Sequence, residues 1–220
     1  GAHQSINTPL IGMGQPGLAY FEPAYADEVA LFMRWAFEYL QQPEGSSVYL
    51  RLSTRQVPQV ERADTDWEAD ALKGGYWLRP PTAGAEAAIA FTGAIAPEVL
   101  AAYEQMLDDI PSLGVLNVTS PDVLHREWSA SKAARWTDQD AQTSHAEDLL
   151  SILAPNAGIV TVIDGSPGAL SWLGGVTGMR VSPLGTDRFG QTGDLPDLYS
   201  EYRLDAAAIM DAMAELFLKR

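Results

Sequence analysis

From Tyr76 to the end of the chain, short apolar runs alternate with longer segments whose apolar residues recur at helical spacing. A strand buried on both faces reads as a continuous apolar run, whereas an amphipathic helix repeats its apolar face every three to four residues. Strands are expected at Tyr76–Leu78, Ala87–Phe91, Val115–Val118, Ile159–Ile163 and Met179–Leu184. Helices are expected over Pro97–Ile110, Pro121–Trp136 and Ala146–Leu153, with Asp205 capping a last one that runs through Phe217. This alternation predicts an α/β fold, a mainly parallel sheet flanked by helices on both faces.

The chain before Tyr76 is different. Leu18–Phe21 is a short strand, and Pro23 opens a helical pattern with Asp27 and Glu28 near the positive end of its dipole. Tyr25, Val29, Phe32, Ala36, Tyr39 and Leu40 make one face, yet Leu31, Met33, Trp35 and Phe37 are apolar outside it. A helix greasy nearly all round needs burial on most sides. Pro43-Glu44-Gly45 ends it, and Val48–Leu52 is a second strand. Two strands and one such helix do not cover their own apolar surface. Gln56–Leu72 is polar and reads as a linker. The expected organisation is a partial α/β domain over 1–57, a linker over 58–73 and a second domain over 74–220. The chain opens at Gly1 without an initiator Met, and its first stretch is expected to be a torn edge of a larger unit.

Charge narrows the partners. Against 14 Lys and Arg stand 29 Asp and Glu, a formal net of −15. That field repels phosphate backbones and anionic headgroups, and no Lys/Arg cluster offsets it, so neither nucleic acid nor membrane is an expected partner. The longest apolar stretch, near Val29–Leu40, is interrupted by Arg34 and Glu38 and is too short to span a bilayer. With no cysteine and no basic-then-apolar leader, the expected location is cytoplasmic.

Most motif matches dissolve on inspection. Gly12-Met13-Gly14-Gln15-Pro16-Gly17 spells the dinucleotide fingerprint, but it precedes a strand, and Pro16 removes an amide donor. Ser129-Ala130-Ser131-Lys132 lacks the partner motifs of a serine acylase, and the Asn117 sequon lies in an expected strand. Of three histidines, His125 and His145 fall in helical segments as surface or packing residues, and none has metal-ligand spacing. His3 sits in an irregular Gly-rich segment, where reactive side chains are often displayed. Leu184–Gly193 follows a strand and is rich in Gly and small polar residues. It reads either as a structural turn, the plainer reading, or as a ligand loop at the carboxyl end of the sheet.

In chain order, Gly1-Ala2-His3-Gln4-Ser5-Ile6, Phe21-Glu22-Pro23-Ala24-Tyr25-Ala26-Asp27-Glu28-Val29, Leu52-Ser53-Thr54-Arg55-Gln56 and Leu184-Gly185-Thr186-Asp187-Arg188-Phe189-Gly190 resemble segments of the transketolase-like superfamily. The second and fourth are closest to the homodimeric pyruvate dehydrogenase E1 component. The third is similar to the transketolase segment whose arginine meets substrate phosphate, here with Thr54 inserted. The resemblance implies that 1–57 ends a pyrimidine-binding domain and that 74–220 is the C-terminal domain. It implies thiamine diphosphate and magnesium in the parent enzyme, with neither held tightly by this chain, which lacks the family's G-D-G…N motif. His3 is the implied catalytic residue and Arg55 the implied substrate-binding residue. The implied activity is oxidative decarboxylation of pyruvate or a related 2-oxo acid, with acyl transfer to a lipoyl carrier. Transketolase-type two-carbon transfer and a non-catalytic assembly or regulatory module are the alternatives. Implied partners are a second copy, the missing upstream domains and a lipoyl-bearing acyltransferase.

Overall fold

The computed structural model describes residues 6–138, 142–188 and 192–218. Elements follow in chain order as α1 (Thr8–Gly14), β1 (Leu18–Phe21), α2 (Ala26–Tyr39), β2 (Ser47–Leu50), α3 (Trp67–Leu72), β3 (Tyr76–Arg79), β4 (Ala85–Phe91), α4 (Ala96–Met106) and β5 (Gly114–Asn117). They continue as α5 (Pro121–Ala134), α6 (His145–Leu150), β6 (Leu153–Val162), α7 (Gly168–Ser171), α8 (Gly174–Thr177), β7 (Arg180–Leu184), α9 (Leu195–Glu201) and α10 (Ala206–Leu218).

Five strands form one sheet in the order β3-β5-β4-β6-β7. All neighbours run parallel except β3, which pairs antiparallel with β5 at the edge. The expected mainly parallel sheet is present. Period-two alternation divides its central strand: Ala87, Ile89 and Phe91 face one core, and Ala88 and Ala90 face the other. The first face is covered by α4 through Val99, Ala102 and Met106 and by α10 through Ile209, Ala212, Met213 and Leu216. The second face is covered by Leu124 of α5, Leu149 and Leu150 of α6, and Leu170 of α7. Ser120 accepts from the Val123 amide to cap α5, Ser144 and Glu147 form a capping box on α6, and Asp205 accepts from the Ala208 amide as expected.

β1 and β2 make a separate parallel pair, in register from Leu18 with Ser47 to Phe21 with Leu50. This pair does not stand alone. Ala19, Phe21, Leu31 and Phe32 belong to the same buried cluster as Ile89 and Val160 of the large sheet. The backbone joins them too: the Glu22 amide donates to the Thr119 carbonyl at 2.8 Å, and the Ser120 hydroxyl donates to the Tyr20 carbonyl.

Two local expectations are corrected, and the stretch before Tyr76 gains detail. The Gly-rich opening contains a helix, α1, whose Gly12 lies against the Tyr20 ring, so that glycine serves close packing. The second helix starts at Ala26, three residues after Pro23, because Glu28 turns back to accept from the Ala24 and Tyr25 amides at 2.7 and 3.3 Å. The polar stretch before Tyr76 ends in α3 and is anchored by Arg62. That guanidinium lies 3.8 Å from the Trp67 ring centroid, pairs with Asp27 and Glu28, and donates to the Tyr76 hydroxyl at 2.7 Å. Glu28, fully buried, also accepts from Tyr76 at 2.5 Å and Asn117 at 2.7 Å.

The greasy helix is only partly satisfied. Trp35 stacks on Tyr39 at 4.6 Å and meets Phe21 edge-on at 5.1 Å, so it finds its partners within the chain. Phe37 is 63% exposed, and Met33 and Leu40 share its outward stripe.

Candidate functional site

In a parallel α/β sheet, ligand sites collect beyond the carboxyl ends of the strands. Here the residues that follow those ends are charged and converge. Glu22 follows β1, Arg51 follows β2, and Asp164 comes two residues after β6. Arg51 donates to one Glu22 oxygen and, at 2.8 Å, to the Asp164 carboxylate; its second terminal nitrogen reaches the Asp164 carbonyl at 3.0 Å. The other Glu22 oxygen accepts from the Tyr20 hydroxyl. Gly93, just past β4, makes room for this carboxylate. It adopts φ +70°, and a Cβ there would stand 2.5 Å from Glu22 Oε1.

Burial grades across the cluster. Glu22 is 1% exposed, whereas the Arg51 and Asp164 side chains keep about a fifth of their surface open. Burial pushes the Glu22 carboxyl up to about 7; Arg51 opposes the rise and Asp164 adds to it. Burial alone would loosen the Arg51 proton, but the two carboxylates outweigh it and hold that proton more tightly than usual. Tyr20 is raised by burial and then by the adjacent Glu22 charge. The group therefore holds two carboxylates around one guanidinium, with its open side at the rim.

The loop that carries Asp164 is also held from two other directions. The Ser166 amide donates to the Ile6 carbonyl at 2.9 Å, which fixes the first described residue of the chain. The Thr186 amide donates to the Gly165 carbonyl at 2.7 Å. Gly185 approaches so closely that a Cβ would lie 2.6 Å from that carbonyl. Segments from 6, 51 and 185–186 thus meet on residues 164–166.

Arg55, the expected substrate-binding residue, is described and engaged. Its guanidinium forms a fork on Glu98 at 2.8 and 2.6 Å, donates to the Ala94 carbonyl at 3.1 Å, and lies 5.2 Å from the Tyr199 ring centroid. It borders a 190 Å³ cavity with Ser53, Gln59 and Leu52. His3, the expected catalytic residue, lies outside the described residues, as do Phe189, Gly190 and Gln191 of the last motif. His145 packs with Nε2 2.8 Å from the Gly75 carbonyl, and His125 meets the rings of Trp128 and Trp172 edge-on. Both are packing residues, as expected. The Glu22–Arg51–Asp164 group was not anticipated, although each member is a charge within two residues of the carboxyl end of an apolar strand.

Among the described residues, no three or more His, Cys, Asp or Glu groups are placed to hold a metal. Glu22 and Asp164 are both taken by Arg51, and Arg55 by Glu98. This donor set does not fit a magnesium-diphosphate group. No helix among the described residues is long and apolar enough to cross a membrane.

Known proteins set this geometry in context. No protein-family profile matches the chain. Over 97% of its length it is 30% identical to a pyruvate dehydrogenase E1 component of Mycolicibacterium smegmatis, and it spans 24% of that relative. A split-gene transketolase, described as an inactive beta4 tetramer, superposes with TM-score 0.71 at 20% identity, covering 100% of this chain and 64% of that one. A transketolase from Leishmania mexicana gives TM-score 0.68 at 13% identity, covering 97% of this chain and 27% of that one. Along almost its whole length the chain is similar in sequence to part of an E1 component, and its fold is that of the transketolases.

Proposed function

We propose that this chain is part of a thiamine-diphosphate-dependent E1 enzyme that oxidatively decarboxylates pyruvate or a related 2-oxo acid and passes the acyl group to a lipoyl carrier. The observation that carries the reading is the 30% identity to a pyruvate dehydrogenase E1 component across 97% of the chain. Thiamine diphosphate supplies the carbanion-stabilising chemistry when bound. Because the charged groups described here are already paired, the diphosphate and its magnesium are assigned to parts of the enzyme outside this chain. In this reading 1–57 ends the pyrimidine-binding domain, 58–73 connects, and 74–220 is the C-terminal domain.

His3 is assigned the protein's direct part in the chemistry: donating a hydrogen bond to the developing alkoxide and moving a proton. Arg55 marks the choice between E1 and transketolase. A phosphate-binding arginine needs its fork free, and here the fork is filled by Glu98. That pairing favours a 2-oxo acid over a sugar phosphate. The full-length protein, given pyruvate and an artificial oxidant, is expected to turn over, and to be inactive with a ketose-phosphate donor and an aldose-phosphate acceptor. The reverse pattern overturns the assignment.

The exposed α2 stripe of Met33, Phe37 and Leu40 is assigned to self-association, most simply a homodimer. A lipoyl-bearing acyltransferase is the proposed acceptor partner.

A further inference from the structure

Between the end of β2 and the start of α3 the chain crosses the surface as a strap. Along residues 52–64 no backbone amide or carbonyl bonds to the backbone of another described residue. A segment that rests on side chains alone opens at a lower free energy than the hydrogen-bonded sheets beneath it. Its contacts are few. Arg55, Val57, Val60 and Arg62 are half-buried, and the residues between them are exposed.

Three arginines fasten the strap, and they hold it unequally. Arg51 fixes one end on Glu22, and Arg62 fixes the other on Glu28, two carboxylates that are buried in the core. The Arg62 side chain is itself 12% exposed and is further held by Trp67 and Tyr76. The middle is held by Arg55 on Glu98, a pair whose side chains are 22% and 17% exposed. A charge pair nearer the surface contributes less and is screened by salt, so the middle is the weak fastening. Beside it, Gln59 accepts from the Ala26 amide at 2.8 Å in an exposed position. The 190 Å³ cavity lies between this middle stretch, through Leu52, Ser53, Arg55, Val57 and Gln59, and the turn at residues 23–26.

We propose that residues 52–60 are a flap over this cavity, fixed at Arg51 and Arg62 and latched in the middle by Arg55 on Glu98. Lifting the flap breaks the Arg55 fork, the bond from Arg55 to the Ala94 carbonyl and the bond from Ala26 to Gln59. Both sheets and the two end fastenings stay in place. The cavity is uncovered and the Arg55 fork is freed, whichever substrate the enzyme takes.

The protein contains no cysteine, so a single introduced thiol reports on one place. Val57→Cys puts it on the cavity side of the flap, and Val160→Cys puts it in the large sheet, where the side chain is fully buried. With iodoacetamide, a neutral reagent, the thiol at position 57 is expected to react at least about a hundredfold faster than the thiol at position 160. Glu98→Gln should quicken the reaction at position 57 about fivefold and leave that at position 160 unchanged. Raising sodium chloride to about 0.5 M should quicken it in the parent background and do little in Glu98→Gln. Equal rates at the two positions, no gain at position 57 from Glu98→Gln, an equal gain at both, or a salt effect that survives Glu98→Gln would each overturn the proposal.

Discussion

Arg51 reaches Asp164 across 113 residues of sequence at 2.8 Å and, in the same grip, neutralises the buried Glu22. One guanidinium thereby ties the end of the small β1–β2 sheet to the end of β6 in the large one. It also steadies the loop on which the Ile6 and Thr186 segments rest.

Arg51→Met removes the only guanidinium bonded to Glu22 among the described residues. An uncompensated buried charge is expensive, so the variant should lose about 3 kcal/mol of stability in urea titration. Adding Glu22→Gln should recover a good part of that loss, because the second change removes the stranded charge. Equal stability of Arg51→Met and the parent would show that the cluster contributes nothing.

Glu22 also sets a pH dependence. Its carboxyl holds a proton more tightly when folded, up to about 7, than at its ordinary value of 4.5. The stabilisation from that difference is fully present below the lower value and is lost as pH rises through the upper one. Unfolding free energies measured from pH 4 to pH 8 should therefore fall with a component that Glu22→Gln removes. A profile with the same slope in both proteins would contradict this.

Gly93→Ala combines a positive φ of +70° with a methyl group aimed at Glu22. A loss of roughly 2 kcal/mol is expected, from backbone strain and displacement of the carboxylate. Gly84 is the control. It has φ +77° and open space around its Cβ position, so Gly84→Ala meets the backbone penalty without the collision and should cost less in the same melt.

Phe37, 63% exposed on the outward stripe of α2, is expected to lie in a contact between copies. Phe37→Glu should shift the protein toward monomer by light scattering and leave its thermal transition nearly unchanged. A parent that is monomeric at high concentration would remove the basis of the prediction.

How far the sequence could be read depended on the range of the forces involved. The alternation after Tyr76 located β3, β4, β5 and β7 and helices α4, α5, α6 and α10 to within a few residues, because burial on two faces imposes local periodicity; of β6 it located only the carboxyl half, and residues 153–158 were not expected as strand. Asp205 was legible as a cap for the same reason: its bond to Ala208 spans three residues. Short helices α1, α7, α8 and α9 carry too few turns for a periodic signal. The start of α2 at Ala26 is set by Glu28 folding back on the chain, which Pro23 masked. Residues 58–73 looked like a passive connection because the partners of Arg62, namely Asp27, Glu28 and Tyr76, lie on other elements. The Glu22–Arg51–Asp164 group is the extreme case, three charges from three distant segments that only the assembled sheets bring together. Arg55 was legible as a singled-out residue, but its pairing with Glu98, 43 residues away, was not.

The most direct measurement of the central claim is CO2 release from carboxyl-labelled pyruvate by the full-length protein and its His3→Ala variant. The parent should release CO2, and the variant should do so about 10²–10⁴-fold more slowly with cofactor affinity little changed. No release by the parent, or parental rates in the variant, would contradict the account.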